Sequence, residues 1–134
     1  MKTDLLLKLA DLLEADANNP HGVRFNLGTW ITTSKGAAPE MSCGTQACAM
    51  GLAAISGIFK DEGLTYDHGD VQLITSHGLR YSGFFAAARL FKIDVTAAIK
   101  LFSPDAYDVR HGIKAELAVA ERIRKGVATG DFYS

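Results

Sequence analysis

The chain has 134 residues, of which 48% are hydrophobic and 22% charged, and its formal net charge is −1. That length suits one domain, spanning 1–134, able to bury roughly two thirds of its unfolded surface without staples. The charge argues against a generally basic nucleic-acid-binding protein, two cysteines are too few for a disulfide scaffold, and no apolar run reaches the roughly 20 residues of a membrane span.

Thr3 to Ala15 reads as an amphipathic helix: Leu5, Leu6, Leu9, Leu12 and Leu13 recur at helical spacing, and Asp4, Lys8, Asp11 and Glu14 mark the other face. Those charges also break up the leucines, so the N-terminus does not read as a signal peptide, and a reducing cytoplasm is the expected location. Asn18-Asn19-Pro20 should end the helix, because proline lacks a donor and disfavours helical geometry just before it. Phe25, Leu27 and Trp30 follow in a segment too short for a helix, expected to plug large side chains into the core. Thr32 to Met41, with Gly36 and Pro39, reads as a loop.

The stretch from Ser42 to Ala54 holds both cysteines and many small residues. Gly44 permits a turn, Thr45 can cap, and a central helix is expected from about 45 to 59, smooth enough for close approach by its neighbours. A β-hairpin is expected at about 64–75, turning at His68-Gly69, followed by a loop at Ser76-His77-Gly78. Gly83 to Phe91 should be a helix with Phe84, Ala87, Ala88 and Phe91 on one face. Asp94 should cap a shorter helix from Val95 to Phe102, stopped by Ser103-Pro104. The last helix is expected at Val109 to Lys125, with Ile113, Leu117, Ala120 and Ile123 as its apolar stripe and Gly126 as its C-cap. The sum is a mostly helical α+β domain: about five helices around a central small-residue helix, plus one hairpin.

Three groups of residues carry a resemblance: the segment Phe25 to Trp30, the run Cys43-Gly44-Thr45-Gln46-Ala47-Cys48-Ala49-Met50-Gly51, and Ala87 to Asp94 with Leu101-Phe102. Together they resemble a family of small uncharacterised bacterial and phage proteins in which an F-x-x-x-x-W segment precedes a CGTxxCxxG motif. The resemblance covers most of residues 5–103. Two positions depart from it: Lys92 stands where glycine is usual, and Leu52 where tryptophan or histidine is frequent. It implies a bacterial or phage setting and brings no catalytic residue with it.

Cys48, in the first turn of the expected helix, sits where free amides and the helix dipole favour a thiolate, so a nucleophile or a redox pair with Cys43 is one reading. Its counterpart is that both cysteines are small core fillers. The five-residue spacing is not that of a CxxC pair. Cys43, Cys48, His68 and His77 are a chemically legitimate zinc set, although their spacing fits no zinc finger. No P-loop, GxGxxG or GxSxG is present, so no cofactor is expected. Asp67 and Asp70 flank the hairpin turn, where carboxylates are usually solvated. The cluster Arg110, His111, Lys114, Arg122, Arg124 and Lys125, mixed with Glu116 and Glu121, reads as a solvated helix face, with Arg110 and Lys114 as candidate binding residues. The helices at 83–91 and 95–102 suggest a helix-turn-helix, but Lys100 is the one base-reading candidate on the second, so they read as core packing. At the end of the chain, Phe132 and Tyr133 are suited to docking on the core or on a partner.

The expected function is that of a small cytoplasmic protein-interaction module, a phage-encoded inhibitor or accessory factor acting against host defence. It would bind a protein partner, with no membrane involved and nucleic acid disfavoured, and whether it is also an enzyme is left open, with the non-enzyme reading favoured. The alternatives are a thiol-dependent enzyme or redox protein using Cys48 with Cys43, and a zinc-binding domain.

Overall fold

The computed structural model describes residues 1–18, 23–33, 45–67 and 69–132. The fold is α+β and mostly helical, as the periodicities require. Its helices are α1 (Thr3–Asn18), α2 (Ala49–Ser56), α3 (Gly83–Phe91), α4 (Val95–Phe102) and α5 (Gly112–Thr129). Strands β1 (Arg24–Phe25), β2 (Ile31–Thr33) and β3 (Thr45–Ala47) form one small sheet in the order β1-β3-β2. Strands β4 (Leu64–Asp67), β5 (Asp70–Ile74) and β6 (Arg80–Ser82) form another in sequence order.

α1 lays Leu6, Leu9 and Leu13 into the core, all without solvent exposure, and packs along α5. It runs to Asn18, three residues beyond the expected end, which puts Asp16 and Ala17 inside its buried last turn.

The central helix is shorter than its small residues suggest. Thr45 to Ala47 are strand, pairing with β1 in parallel and with β2 in antiparallel fashion. A chain already committed to ladder hydrogen bonds on both sides cannot also donate to a helix. Helix α2 therefore starts after Cys48, whose backbone is extended, and stops at the left-handed Gly57. Every residue of α2 from Ala49 to Ala54 is buried. Gly51 lies so close to β2 that a Cβ would collide with the Trp30 carbonyl oxygen. The glycine is required by the backbone of its neighbour, and Gly51→Val cannot be accommodated by side-chain movement alone.

The expected hairpin is present as β4 and β5, with Asp67 opposite Asp70; His68, in its turn, lies outside the described residues. A third strand was not anticipated: β6 pairs with β5 after the turn at 75–79, where Gly78 donates to Thr75 O and Thr75 donates to Leu79 O. The segment Arg80–Ser82 shows little alternation to betray it.

α3 buries Ala86, Ala87, Ala88, Leu90 and Phe91, while Phe84 is half-buried edge-on to Trp30, ring centroids 5.0 Å apart. It ends at Lys92 with φ 51, the one non-glycine residue in the left-handed region among those described. Asp94 caps α4 by accepting from Ala97 N at 2.7 Å.

α5 is displaced from its expected bounds at both ends. Leu27 N donates to Arg110 O at 2.7 Å, and His111 forms an antiparallel bridge with Asn26, so 110–111 are held extended and the helix starts only at Gly112. At the other end Gly130, not Gly126, is the left-handed cap, donating to Gly126 O at 2.8 Å. Gly126 instead forms the seat of Phe132, whose ring fills the space a side chain there would take, and Phe132 is buried. The core-facing stripe is also rotated: Ala115, Glu116, Val119, Ala120, Ile123 and Gly126 face inward, while Ile113 and Leu117 are exposed.

Candidate functional site

The feature with most chemical content is a cavity of about 590 Å³ between the end of α1, the β1–β3 edge and the start of α5. Its acidic floor follows from two helical periodicities. On α1, Leu6, Leu9 and Leu13 step at three and four residues, and the next step falls on Asp16, which is 3% exposed. On α5, Ile123, Ala120 and Val119 step back to Glu116, which is 2% exposed. Because the two stripes face each other across the helix pair, carboxyls 100 positions apart in the chain meet and hydrogen-bond.

Two carboxyls can share a hydrogen bond only if a proton stays between them. Burial, then the hydrogen bond and the charge of Asp16, push Glu116 up to about 9. At neutral pH Glu116 therefore retains its proton. Glu116 Oε2 makes no hydrogen bond with any described residue. An orphaned buried acceptor is rare in folded proteins and calls for a reason.

The remaining walls combine apolar and amide groups. Val23, Phe25 and Ile113 give the apolar surface. Asn26 and Gln46 line one side and are locked to each other, Asn26 Nδ2 donating to Gln46 Oε1 at 3.1 Å, while Gly28 N donates to Asn26 Oδ1 at 2.9 Å. Arg24 and His111 also line the cavity and are both exposed. A cavity of this size, largely apolar with a few convergent polar groups and a strongly displaced carboxyl, has the character of a ligand site.

Cys48 is placed differently from what reactivity requires. It is 1% exposed, and its Sγ–H points to Trp30 O at 3.9 Å. Burial pushes the thiol up to about 11, outweighing the amides of Gly51, Met50 and Cys48 itself that would favour the thiolate. Cys43 and His68 lie outside the described residues. His77 is exposed in the turn between β5 and β6, whereas Cys48 is buried. No group of three or more His, Cys, Asp or Glu able to hold a metal ion forms among the described residues.

The basic residues are not a uniform solvated face. Arg124 donates to Glu14 Oε1 and Oε2 at 2.7 and 2.8 Å and to Asp11 Oδ1 at 2.6 Å, tying α5 to α1. Arg122 lies over the Tyr107 ring, 3.9 Å from its centroid, and donates to Lys100 O and Ala106 O. Arg110 is exposed beside Asp105 at 3.4 Å, and Lys114 is exposed. Glu116, grouped in the sequence with these solvated charges, is the exception and lies in the core. Phe132 is docked on α5, and Tyr133 lies outside the described residues.

Sequence reasoning missed Asp16 and Glu116. The available signal was a carboxylate standing where an apolar stripe should continue, and it was hidden on α1 by an early helix end and on α5 by a misassigned stripe. Among the described residues no helix is long and apolar enough to cross a membrane. No family model, curated protein or solved structure matches this chain.

Proposed function

We propose that the protein is a binding module that engages a protein partner through the mouth of the Asp16–Glu116 cavity. The observation carrying this reading is that a cavity wall continues into uncovered apolar surface. Ile113 lines the cavity and is 51% exposed, and Leu117, one turn further on α5, is 40% exposed. A helix face with an apolar pair beside a recess can accept an inserted side chain and cover the surrounding surface. The burial of Cys48 also favours binding over thiol chemistry. The resemblance noted above suggests the setting: a bacterial cytoplasm, where a small phage-encoded inhibitor or accessory factor would meet its target.

The test is affinity capture from bacterial lysate with wild type, Leu117→Asp and Phe85→Asp. Phe85, 62% exposed on α3, is an apolar control on a different element. A protein retained by wild type and Phe85→Asp but lost with Leu117→Asp supports the reading. Capture indifferent to Leu117, or no capture above background, overturns it.

A further inference from the structure

We propose that the groove between β6, α3 and the start of α4 is a binding site for a small organic acid, a single carboxylate carried on an aromatic or aliphatic body. The groove holds about 490 Å³ and shares no lining residue with the Asp16–Glu116 cavity, so the site is separate from the one read above as a partner surface.

One face of α3 supplies most of it. Phe85, Ala88, Arg89 and Lys92 fall at positions i, i+3, i+4 and i+7, and all four line the groove. Phe85 is 62% exposed, more than any other large hydrophobic residue described, and Ala88, Ile93 and Val95 extend the apolar lining. The Arg89 guanidinium is held over the Tyr81 ring, 5.3 Å from its centroid, which positions the charge without using its N–H groups. Among the described residues neither the Arg89 nor the Lys92 side chain makes a hydrogen bond or an ion pair.

Cations at the C-terminal end of a helix are ordinary, because the helix dipole favours them. The backbone of Lys92 is not. Its φ of 51 suits glycine, which has no Cβ to strain, yet the chain places a lysine there, with its residue lining the groove. A strained residue at the wall of a groove points to a side chain kept for what it binds.

Charge then selects the ligand class. The charged groups lining the groove are Arg89 and Lys92 against Asp94, whose carboxylate has partners of its own and accepts from Ala97 N at 2.7 Å. The excess is one positive charge, which matches one carboxylate. A phosphate monoester brings nearly two negative charges at pH 7 and a nucleic acid a row of them, and either would meet Asp94. The guanidinium fork of Arg89 suits a planar carboxylate, and the volume suits a ring or short alkyl chain against Phe85, Ile93 and Val95.

The probe is 3-phenylpropanoate, compared with 3-phenylpropanol, 3-phenylpropylammonium and adenosine monophosphate. Each is titrated into the full chain at pH 7 while backbone amide signals are followed by NMR. The expected result is saturable binding of 3-phenylpropanoate that moves the amides of 85–95, weakens with added salt, and exceeds the three comparators by at least about tenfold. Arg89→Gln should weaken it by at least about tenfold, and Phe85→Asp should abolish it. Lys92→Gly is the variant that separates function from folding: it should bind about threefold or more weakly while melting no lower than wild type. Comparators that bind as well as the acid, shifts centred outside 85–95, a Lys92→Gly variant with undiminished binding, or no binding at all would each overturn the proposal. These titrations use no partner protein and no residue of the Ile113–Leu117 face, so their failure leaves the capture experiment standing on its own result.

Discussion

The seam between α1 and α5 holds two carboxylate sites less than two helical turns apart on α1, and they are built in opposite ways. At Asp11 and Glu14 the carboxylates remain partly in water, and one guanidinium from Arg124 serves both. Its hydrogen bond holds Glu14 below the ordinary carboxylate range against the opposing effect of burial, and its charge adds a smaller effect in the same direction as the hydrogen bond. At Asp16 and Glu116 both carboxyls are buried, and burial, followed by the neighbouring Asp16, pushes Glu116 up to about 9. The same pair of helices thus makes one site that prefers charge and one that prefers a proton. The first looks like a clamp. The second, with its orphaned oxygen and adjoining cavity, has unmet hydrogen-bonding capacity, which is what a binding site needs.

The comparison predicts opposite pH dependences. Glu116 binds its proton more tightly folded than unfolded, so its contribution to stability is fully present below about 4.5 and is lost as pH rises toward about 9. Between those limits the slope should approach about 1.4 kcal/mol of stability lost per pH unit. Urea unfolding at pH 5.5, 7 and 8.5 measures it, and Glu116→Gln should flatten the difference. A wild type and a Glu116→Gln variant with parallel profiles would break the contrast between the two sites.

Next in size is the effect of removing the unsatisfied acid altogether. Glu116→Leu should raise stability at pH 8 by about 1–3 kcal/mol, because a buried carboxyl with an oxygen that makes no hydrogen bond gives way to apolar packing. Urea unfolding of this variant at pH 8 measures the effect, and a loss of stability would mean that Glu116 is compensated after all.

The clamp should matter less. Arg124→Ala should cost about 1 kcal/mol or less, since Arg124 and Glu14 are both more than a third exposed and solvent screens their attraction. The sign is opposite to that of Glu116: Glu14 has a lowered pKa when folded, so its contribution is present above about 4.5 and is lost as pH falls. Arg124→Ala should therefore narrow toward wild type in acid, a trend that chemical denaturation at pH 3 and pH 7 would reveal or exclude. As a control outside the seam, Lys92→Gly should raise stability by up to about 1 kcal/mol at every pH, since it relieves a left-handed residue with φ 51. A pH-dependent gain there would mean the charge of Lys92, not its backbone, had been the cause.

The contrast also explains what could be read from the sequence. Local rules worked where the relevant partners are neighbours in the chain. Leu6, Leu9 and Leu13 identify the inner face of α1 by spacing alone, Asp94 caps α4 through an amide three residues away, and Asp67 and Asp70 bracket a two-residue turn. The mostly helical α+β class follows from such signals.

Tertiary pairing decided the rest. Thr45 to Ala47 became a strand because β1 and β2 lie on either side of it, and no local preference of Thr-Gln-Ala records that. Residues 110–111 were held extended by pairing with 26–27, which delayed α5, while Val119, Ala120 and Ile123 carried its buried stripe back to Glu116 and left Ile113 and Leu117 outside. The meeting of Asp16 with Glu116 is the extreme case. Each side chain alone has the chemistry of an ordinary surface carboxylate, and only the packing of α1 on α5 removes both from water together. Sequence sets where a charge can go along its own helix; the helix opposite decides whether it meets water, a guanidinium or another acid.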